Sequence, residues 1–260
     1  MKVKIVVGNN NKVAEDLASK IHNYLLSKKQ EIVEKVEDAD MVITLGGDGT
    51  LIHTACEYAA LDVPFVGINA GTLGFLTAEE GDDWQKAVDL LIAGKYTVSE
   101  RMTVEASVAK GDSFQAVNEV VVKGLYRVVK LEILVNGQKL LNTSGDGVIV
   151  ATQTGSTAYS LSAGGPIVDP GLDCLLITPV NAHGLPIPSM VLSPNDEIDI
   201  KISSGENISL IIDGQEHTKV SQSQSVKVKR GKNKVKLVYF GEHHFLKALN
   251  AKFGLGGRLQ

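Results

Sequence analysis

Residues 41–45 read Met-Val-Ile-Thr-Leu and run without a break into Gly46-Gly47-Asp48-Gly49-Thr50. An apolar run of that kind marks a strand covered on both faces, as in a parallel sheet flanked by helices. Glycines directly after it call for a tight turn, and residues 51–61 continue with helical patterning. Strand, glycine turn and helix in that order restrict the first part of the chain to an open α/β arrangement. Neighbouring segments point the same way. Residues 2–7 (KVKIVV) read as a strand, and Gly8 with the asparagines at 9–11 as a turn able to cap a helix. Val13, Leu17, Ile21 and Leu25, with Ala14 and Ala18 beside them, give one face of a helix ending near Lys28. A strand over 63–68 and a helix over 82–93 follow, and the order βαβαβα implies parallel strands with right-handed crossovers.

Near Tyr96 the rhythm changes to the two-residue alternation of half-buried strands. Met102, Val104, Ala106 and Val108 show it, as do Leu131, Ile133 and Val135, which run into the hairpin signal Asn136-Gly137. Ile198, Ile200 and Ile202 repeat it, then Ile208, Leu210 and Ile212, then Val226 and Val228, then Val235, Leu237 and Tyr239. One short helix, around 156–163, is the only interruption this pattern allows. Residues 243–252 read as helical again. The expected fold is therefore α/β plus all-β. An open parallel α/β domain spans 1–96, a mostly antiparallel β domain 97–240, and a C-terminal segment, 241–260, returns a helix to the first domain.

Charge narrows the function classes. Lys and Arg number 26 against 30 Asp and Glu, a net charge of −4. That argues against a chain whose main task is to hold nucleic acid or an anionic membrane. No apolar run approaches the length needed to cross a bilayer, and the N-terminal stretch is too short for a signal peptide. Cys56 and Cys174 have no ligand spacing and read as free thiols in a reducing, cytoplasmic setting.

Four segments carry chemistry. In the first, Gly46, Gly47 and Gly49 leave backbone N–H groups exposed at a helix N-terminus, which suits a phosphate chain, with Thr50 beside them. Asp48 is out of place in a pure phosphate cradle, because its charge repels the ligand. It makes sense as an acceptor for a hydroxyl proton or hydrogen bond, as a residue that helps hold a metal, or as a turn cap. The second segment, 67–76, ends the next strand at the same sheet edge, where Phe75 can stack on a base or pack inside its loop. The third is Asn118-Glu119 within an apolar strand, where an acid either faces solvent or meets a ligand. The fourth, 144–167, joins a turn, a buried strand and small hydroxylated residues with five glycines. Neither G-x-G-x-x-G nor G-x-x-x-x-G-K-[ST] is present, which excludes the dinucleotide fingerprint of dehydrogenases and the P-loop.

In order and spacing, these four segments resemble the NAD kinases, over most of the chain as far as Asp213-Gly214-Gln215 and beyond. The long fourth run is specific to that family, whereas Gly-Gly-Asp-Gly-Thr also occurs in diacylglycerol and sphingosine kinases. The resemblance implies transfer of the terminal phosphoryl group of ATP to the 2′-hydroxyl of the adenosine ribose of NAD, giving NADP. It implies that Asp48 contacts that hydroxyl as the proposed base, with Gly49 beside it. Gly46, Gly47 and Thr50 belong to the loop that holds the donor phosphates. It implies that Asn118 and Glu119 hold the ribose and adenine side of NAD, and that Phe75 is an adenine-side aromatic. Asp146 contacts the nicotinamide half, often from a neighbouring subunit. Thr157, Ala158, Tyr159 and Ser162 line the dinucleotide pocket. Mg²⁺, or another divalent cation, comes with ATP and has no dedicated protein cage. The expected partners are NAD and ATP in a cytoplasmic homodimer or homotetramer, with no nucleic acid and no membrane. A lipid kinase sharing the glycine loop, or a non-catalytic NADP-binding regulator, are the competing readings. Two stretches depart from the family: Gln153 stands where proline is usual, and 178–190 keeps His183 but replaces its neighbours.

Overall fold

Burial of Met41–Leu45 on both faces is complete, as its composition demands. The structure, a computed structural model, describes residues 1–9, 11–71, 74–108, 111–184, 186–222 and 224–254. Asn10, Thr72, Leu73, Leu185 and 255–260, which the sequence reading also uses, lie outside the described residues. The chain forms two units, Met1–Glu100 with Lys234–Gln260, and Arg101–Asn233.

The first unit begins with β1 (Lys2–Val7), α1 (Lys12–Ser27), β2 (Glu31–Ile32), β3 (Met41–Leu45), α2 (Asp48–Glu57), β4 (Pro64–Asn69), β5 (Glu79–Glu80) and α3 (Trp84–Ile92). Its strands are parallel, ordered β2-β1-β3-β4, with β5 along the end of β4. Val7 pairs with Leu45 and Leu45 with Ile68, so Gly8, Gly46 and Asn69 emerge side by side at the carboxyl edge. That edge is where an open α/β sheet binds its ligands. The side chain of Asn11 caps α1 by accepting from the Ala14 N–H at 3.1 Å. Ala14, Leu17, Ile21 and Leu25 form the buried face, and Val13, expected on it, is exposed. The helical period of 3.6 centres the stripe one residue later than a four-residue count does. The second helix starts earlier than expected, with Asp48 as its first residue.

The second unit takes up β6 (Thr97–Val108) from Arg101 onward, then β7 (Ser113–Ala116), β8 (Glu119–Gly124), β9 (Val129–Val135), β10 (Gln138–Gly145), β11 (Gly147–Thr152), α4 (Tyr159–Ser162), β12 (Leu175–Val180), β13 (Met190–Leu192), β14 (Ile198–Ser204), β15 (Ile208–Ile212) and β16 (Gln215–Val220). Last comes β17 (Ser225–Tyr239), one strand where two were expected; its first part belongs to this unit. Strands β10-β9-β14-β17 are antiparallel neighbours, and β13-β12-β11-β8-β15-β16 form a second antiparallel sheet. The expected hairpin turns at Asn136-Gly137, both with positive φ. One core packs Val120, Val122, Val148, Val150 and Leu210 against Leu131, Ile133, Ile198 and Ile200. A second cluster lies on the other face of the same sheet, with Val121, Ile149, Ala151, Val168 and Leu176, and Tyr159 packed onto it. β8 is thus buried on both sides, and its run of valines needs no alternation.

The chain returns to the first unit in the rest of β17, where Lys236 and Leu237 pair in parallel with Pro64 and Phe65 of β4. It ends in α5 (His244–Phe253), and Phe253 packs against Phe75 with ring centroids 6.0 Å apart. The expected return of a C-terminal helix to the first domain is met. None of the helices in the described residues is long and apolar enough to cross a membrane.

Ile133 is fully buried between the strands of the second unit. Ile133→Ala is expected to lower the denaturation midpoint by the equivalent of about 2–5 kcal/mol. A shift below about 1 kcal/mol in urea unfolding would show that this layer closes around the missing atoms.

Candidate functional site

The first candidate lies at the start of α2. Gly47 is its N-cap and makes no side-chain cap bond; the Thr50 N–H donates to the Gly47 carbonyl at 3.1 Å, and the N–H groups of Asp48 and Gly49 have no acceptor within the helix. Gly46 has φ +154°, and a Cβ there would overlap the Thr50 hydroxyl. Thr50 thus faces the strand ends, packed against Gly8 and Gly46. At Gly47 and Gly49 a Cβ would meet nothing within 4 Å, so ligand atoms can approach the backbone directly.

Asp48 is not a free carboxylate. Its Oδ2 accepts from the Phe75 N–H at 2.8 Å, and its Oδ1 from the N–H groups of Leu76 at 3.1 Å and Thr77 at 3.0 Å. Three consecutive backbone donors therefore grip one side chain, and at two acceptor positions per oxygen one lone pair remains on Oδ2. The loop is tied down in turn. The Thr77 hydroxyl accepts from Gly74 N–H at 3.0 Å, Asn69 Oδ1 accepts from Gly71 N–H at 2.9 Å, and a Cβ at Gly74 would overlap the Asp48 carboxylate. Phe75 packs on Phe253 with Lys252 Nζ 5.8 Å from its ring, an internal contact.

In the second unit Asp213 repeats the arrangement. Its Oδ2 accepts from Val117 N–H at 2.8 Å, and its Oδ1 from Asn118 at 2.8 Å and Glu119 at 3.0 Å. Sequence reading gave Asp213 no role, since Asp-Gly between two strands is an ordinary hairpin turn; φ is +45° at Asp213 and +82° at Gly214. Thr152, another residue missed, donates to the Val117 carbonyl at 2.6 Å and accepts from the N–H groups of Thr154 and Gly155. Gly155 admits no Cβ, which would overlap the Asn118 carbonyl. The turn over 153–159 is thereby pressed onto Asn118 and Glu119.

Glu119 shares its face of β8 with Val121, beneath Tyr159, and is 4% exposed. A solvent-facing acid is thus excluded. Burial, and then the nearby Asp213 charge, push its carboxyl up to about 8; a hydrogen bond from the Tyr159 backbone N–H opposes them. Glu119 Oε2 and Asn118 Oδ1 are buried without a partner, and a buried oxygen left so costs free energy unless a ligand or water donates to it. Tyr159 adjoins Glu119, Ala158 directly precedes it, Thr157 is half-buried with its hydroxyl on the Thr154 carbonyl, and Ser162 is exposed on α4. Asp146 is not brought to it. Asp146 precedes β11 opposite Gly124, at the far end of the strand pair and roughly 17 Å from Glu119 at strand spacing. Its Oδ2 accepts from Asn181 Nδ2 at 2.7 Å.

The family model described as ATP-NAD kinase N-terminal domain matches residues 3–96, and that described as ATP-NAD kinase C-terminal domain matches 117–240. A protein named NAD kinase from Geobacter metallireducens is 40% identical over 233 residues, covering 86% of this chain and 82% of its own. One of the same name from Clostridium botulinum is 38% identical, covering 98% and 97%. Among solved structures, yeast NADH kinase complexed with NADH superposes with TM-score 0.88 at 22% identity, over 100% of this chain and 89% of that one. An NAD kinase from Archaeoglobus fulgidus in complex with ATP gives 0.81 at 24%, over 98% and 100%. At that identity the two structures speak for the fold.

Two outcomes follow from the geometry. Gly74→Ala forces the Asp48 carboxylate from its donors and is expected to cost about 1–3 kcal/mol in denaturant unfolding; an unchanged midpoint would show that the three bonds contribute nothing. Glu119 holds its proton more tightly folded than unfolded. Its contribution is therefore complete below the ordinary carboxylate range and is lost as pH rises through about 8. Stability is expected to fall across that window by on the order of a few kcal/mol, and Glu119→Gln to flatten the profile. Parallel pH profiles of parent and variant would refute the assignment.

Proposed function

The chain belongs to the NAD kinase family, and on that premise we infer how its residues divide the reaction. The activity is transfer of the terminal phosphoryl group of ATP to the 2′-hydroxyl of the adenosine ribose of NAD, which yields NADP and ADP. Neither a lipid kinase nor a non-catalytic regulator is favoured by any observation.

The backbone at Gly46, Gly47 and Gly49 and the first turn of α2 receive the donor phosphates, with Thr50 holding the glycines in place. A divalent cation such as Mg²⁺ comes in on the triphosphate and neutralises its charge. On this reading the phosphates supply most of that cation's ligands. Asp48 keeps its three backbone donors and uses the remaining lone pair of Oδ2 to orient the 2′-hydroxyl and take its proton. The hydroxyl oxygen attacks the terminal phosphorus as the bond to ADP breaks. Positioning matters more than basicity in such a transfer.

Asn118, Glu119, Thr157, Ala158, Tyr159 and Ser162 hold the dinucleotide. The observation that carries this reading is the pair of buried, unpartnered oxygens, Asn118 Oδ1 and Glu119 Oε2, under the Tyr159 turn. Ribose hydroxyls and the adenine amine are donors of the kind those oxygens lack. Phe75 serves the adenine side. Asp146 serves the nicotinamide half of NAD bound by a second copy of the chain, in a homodimer or homotetramer, because within one copy it lies a strand's length from Glu119. The exposed turn beside it, with Leu125, Val128 and Tyr126 at 84% exposure, suits such a contact. The assembly works in the cytoplasm.

Asp48→Asn is expected to lower kcat at least about 10²-fold, measured as NADP formed from NAD and MgATP. A rate near the parent's would remove Asp48 from the reaction, and no NADP from the parent under any divalent cation would overturn the whole reading.

A further inference from the structure

The turn that covers Glu119 is fastened at a residue that touches neither Asn118 nor Glu119 through its side chain. Gln153 directly follows β11 and is 1% exposed. Its Nε2 donates to Asp173 Oδ1 at 3.0 Å, and the other oxygen of Asp173 accepts from Arg230 Nη2 at 2.5 Å. The last backbone pair between β11 and β12 is Thr152 with Leu175. The side-chain bond from Gln153 to Asp173 joins the two segments just beyond that last pair, one residue past Thr152 and two before Leu175, at the point where the backbone turns away. The carboxylate also sets which way the amide faces. Reversed, Gln153 would press its own oxygen on a negative charge. Arg230 and Asp173 are about one-third exposed, so their ion pair adds little by itself; its effect is to keep the Asp173 carboxylate aimed at Gln153.

We propose that Gln153, held by Asp173 and Arg230, is a positioning residue that sets the 153–159 turn in the geometry that receives NAD. The inference rests on the assignment of that turn to the dinucleotide. Proline, usual at this place in the family, stiffens a turn differently: its ring restricts φ, and no side-chain anchor is needed. The residues on either side suit one. Thr152 ends an extended strand, as the residue before proline prefers, and Thr154 opens the turn at φ −66° and ψ −44°. The side-chain chain from Gln153 to Arg230 is thus an alternative means of rigidity, and the two means should substitute for each other.

The test uses the full chain, with steady-state kinetics for NAD and for MgATP and amide hydrogen exchange over residues 152–159. Gln153→Ala and Asp173→Ala are expected to raise KM for NAD roughly tenfold, with kcat and KM for ATP within about twofold of the parent, and to speed exchange in the turn. Asp173→Asn keeps the acceptor for Gln153, and its KM should rise no more than about threefold; it also serves if an alanine variant fails to fold. Gln153→Pro should bring KM for NAD and exchange back towards the parent, and adding Asp173→Ala to it should change neither. The proposal is overturned if KM for NAD stays within about twofold in both Gln153→Ala and Asp173→Ala. Exchange then identifies the failed premise. Unchanged exchange means that the anchor holds nothing; faster exchange means that the turn is loosened but does not contact NAD.

Discussion

A carboxylate gripped by three consecutive backbone N–H groups is the interaction on which both candidate sites depend. Asp48 takes the donors of residues 75–77, and Asp213 takes those of 117–119. Hydrogen bonds to an ionised acceptor are shorter and about twice as strong as neutral ones, so three on one side chain can hold a loop that no sheet or helix supports. The geometry has a steric condition, since the gripped segment must come within contact of its partner. Gly74 and Gly155 meet it, each at a place where a Cβ would overlap an atom that helps hold the site. Glycine here is required for close approach and not for an unusual φ, as neither residue has positive φ.

The grip on 117–119 also explains how an acid comes to lie under an aromatic in a sheet. A strand buried on both faces has no solvent side to which Glu119 could turn. Asp213 fixes the backbone at Asn118 and Glu119, and the 153–159 turn closes over them. Burial and the adjacent Asp213 charge both favour the protonated carboxyl. In that form Glu119 can donate as well as accept, and it adds no second negative charge to that of Asp213.

Much of this was legible in the sequence, for identifiable reasons. Met41–Leu45 and its glycines announce a buried parallel strand and a tight turn because burial on both faces leaves no other pattern. The alternation of Ile198, Ile200 and Ile202 announces an antiparallel strand equally well. What stayed hidden depends on contacts between distant residues. Asp213 reads as a hairpin turn until its carboxylate is seen on amides some ninety-five positions away. Short edge strands such as Glu31–Ile32, Glu79–Glu80 and Met190–Leu192 carry no period long enough to detect. Glu119 could be read either way, because alternation says where a side chain points and not what covers it.

The grip bears on the difficulty that Asp48 presents beside a turn proposed to bind phosphate. A full negative charge at the N-terminus of α2 would cancel the partial positive charge of the helix end and repel a triphosphate. Three N–H dipoles pointed at that charge offset part of it locally. The arrangement needs no cluster of lysines, in keeping with a chain whose 26 basic residues are outnumbered by 30 acidic ones. It also fixes the direction of the one lone pair left on Oδ2. A carboxylate free to rotate would meet the 2′-hydroxyl in many poses, whereas one with three bonds in place meets it in few. On the proposed role of Asp48, in-line transfer depends on orientation more than on base strength, and the backbone of residues 75–77 would then matter to the rate even though none of its side chains needs to touch the reacting atoms.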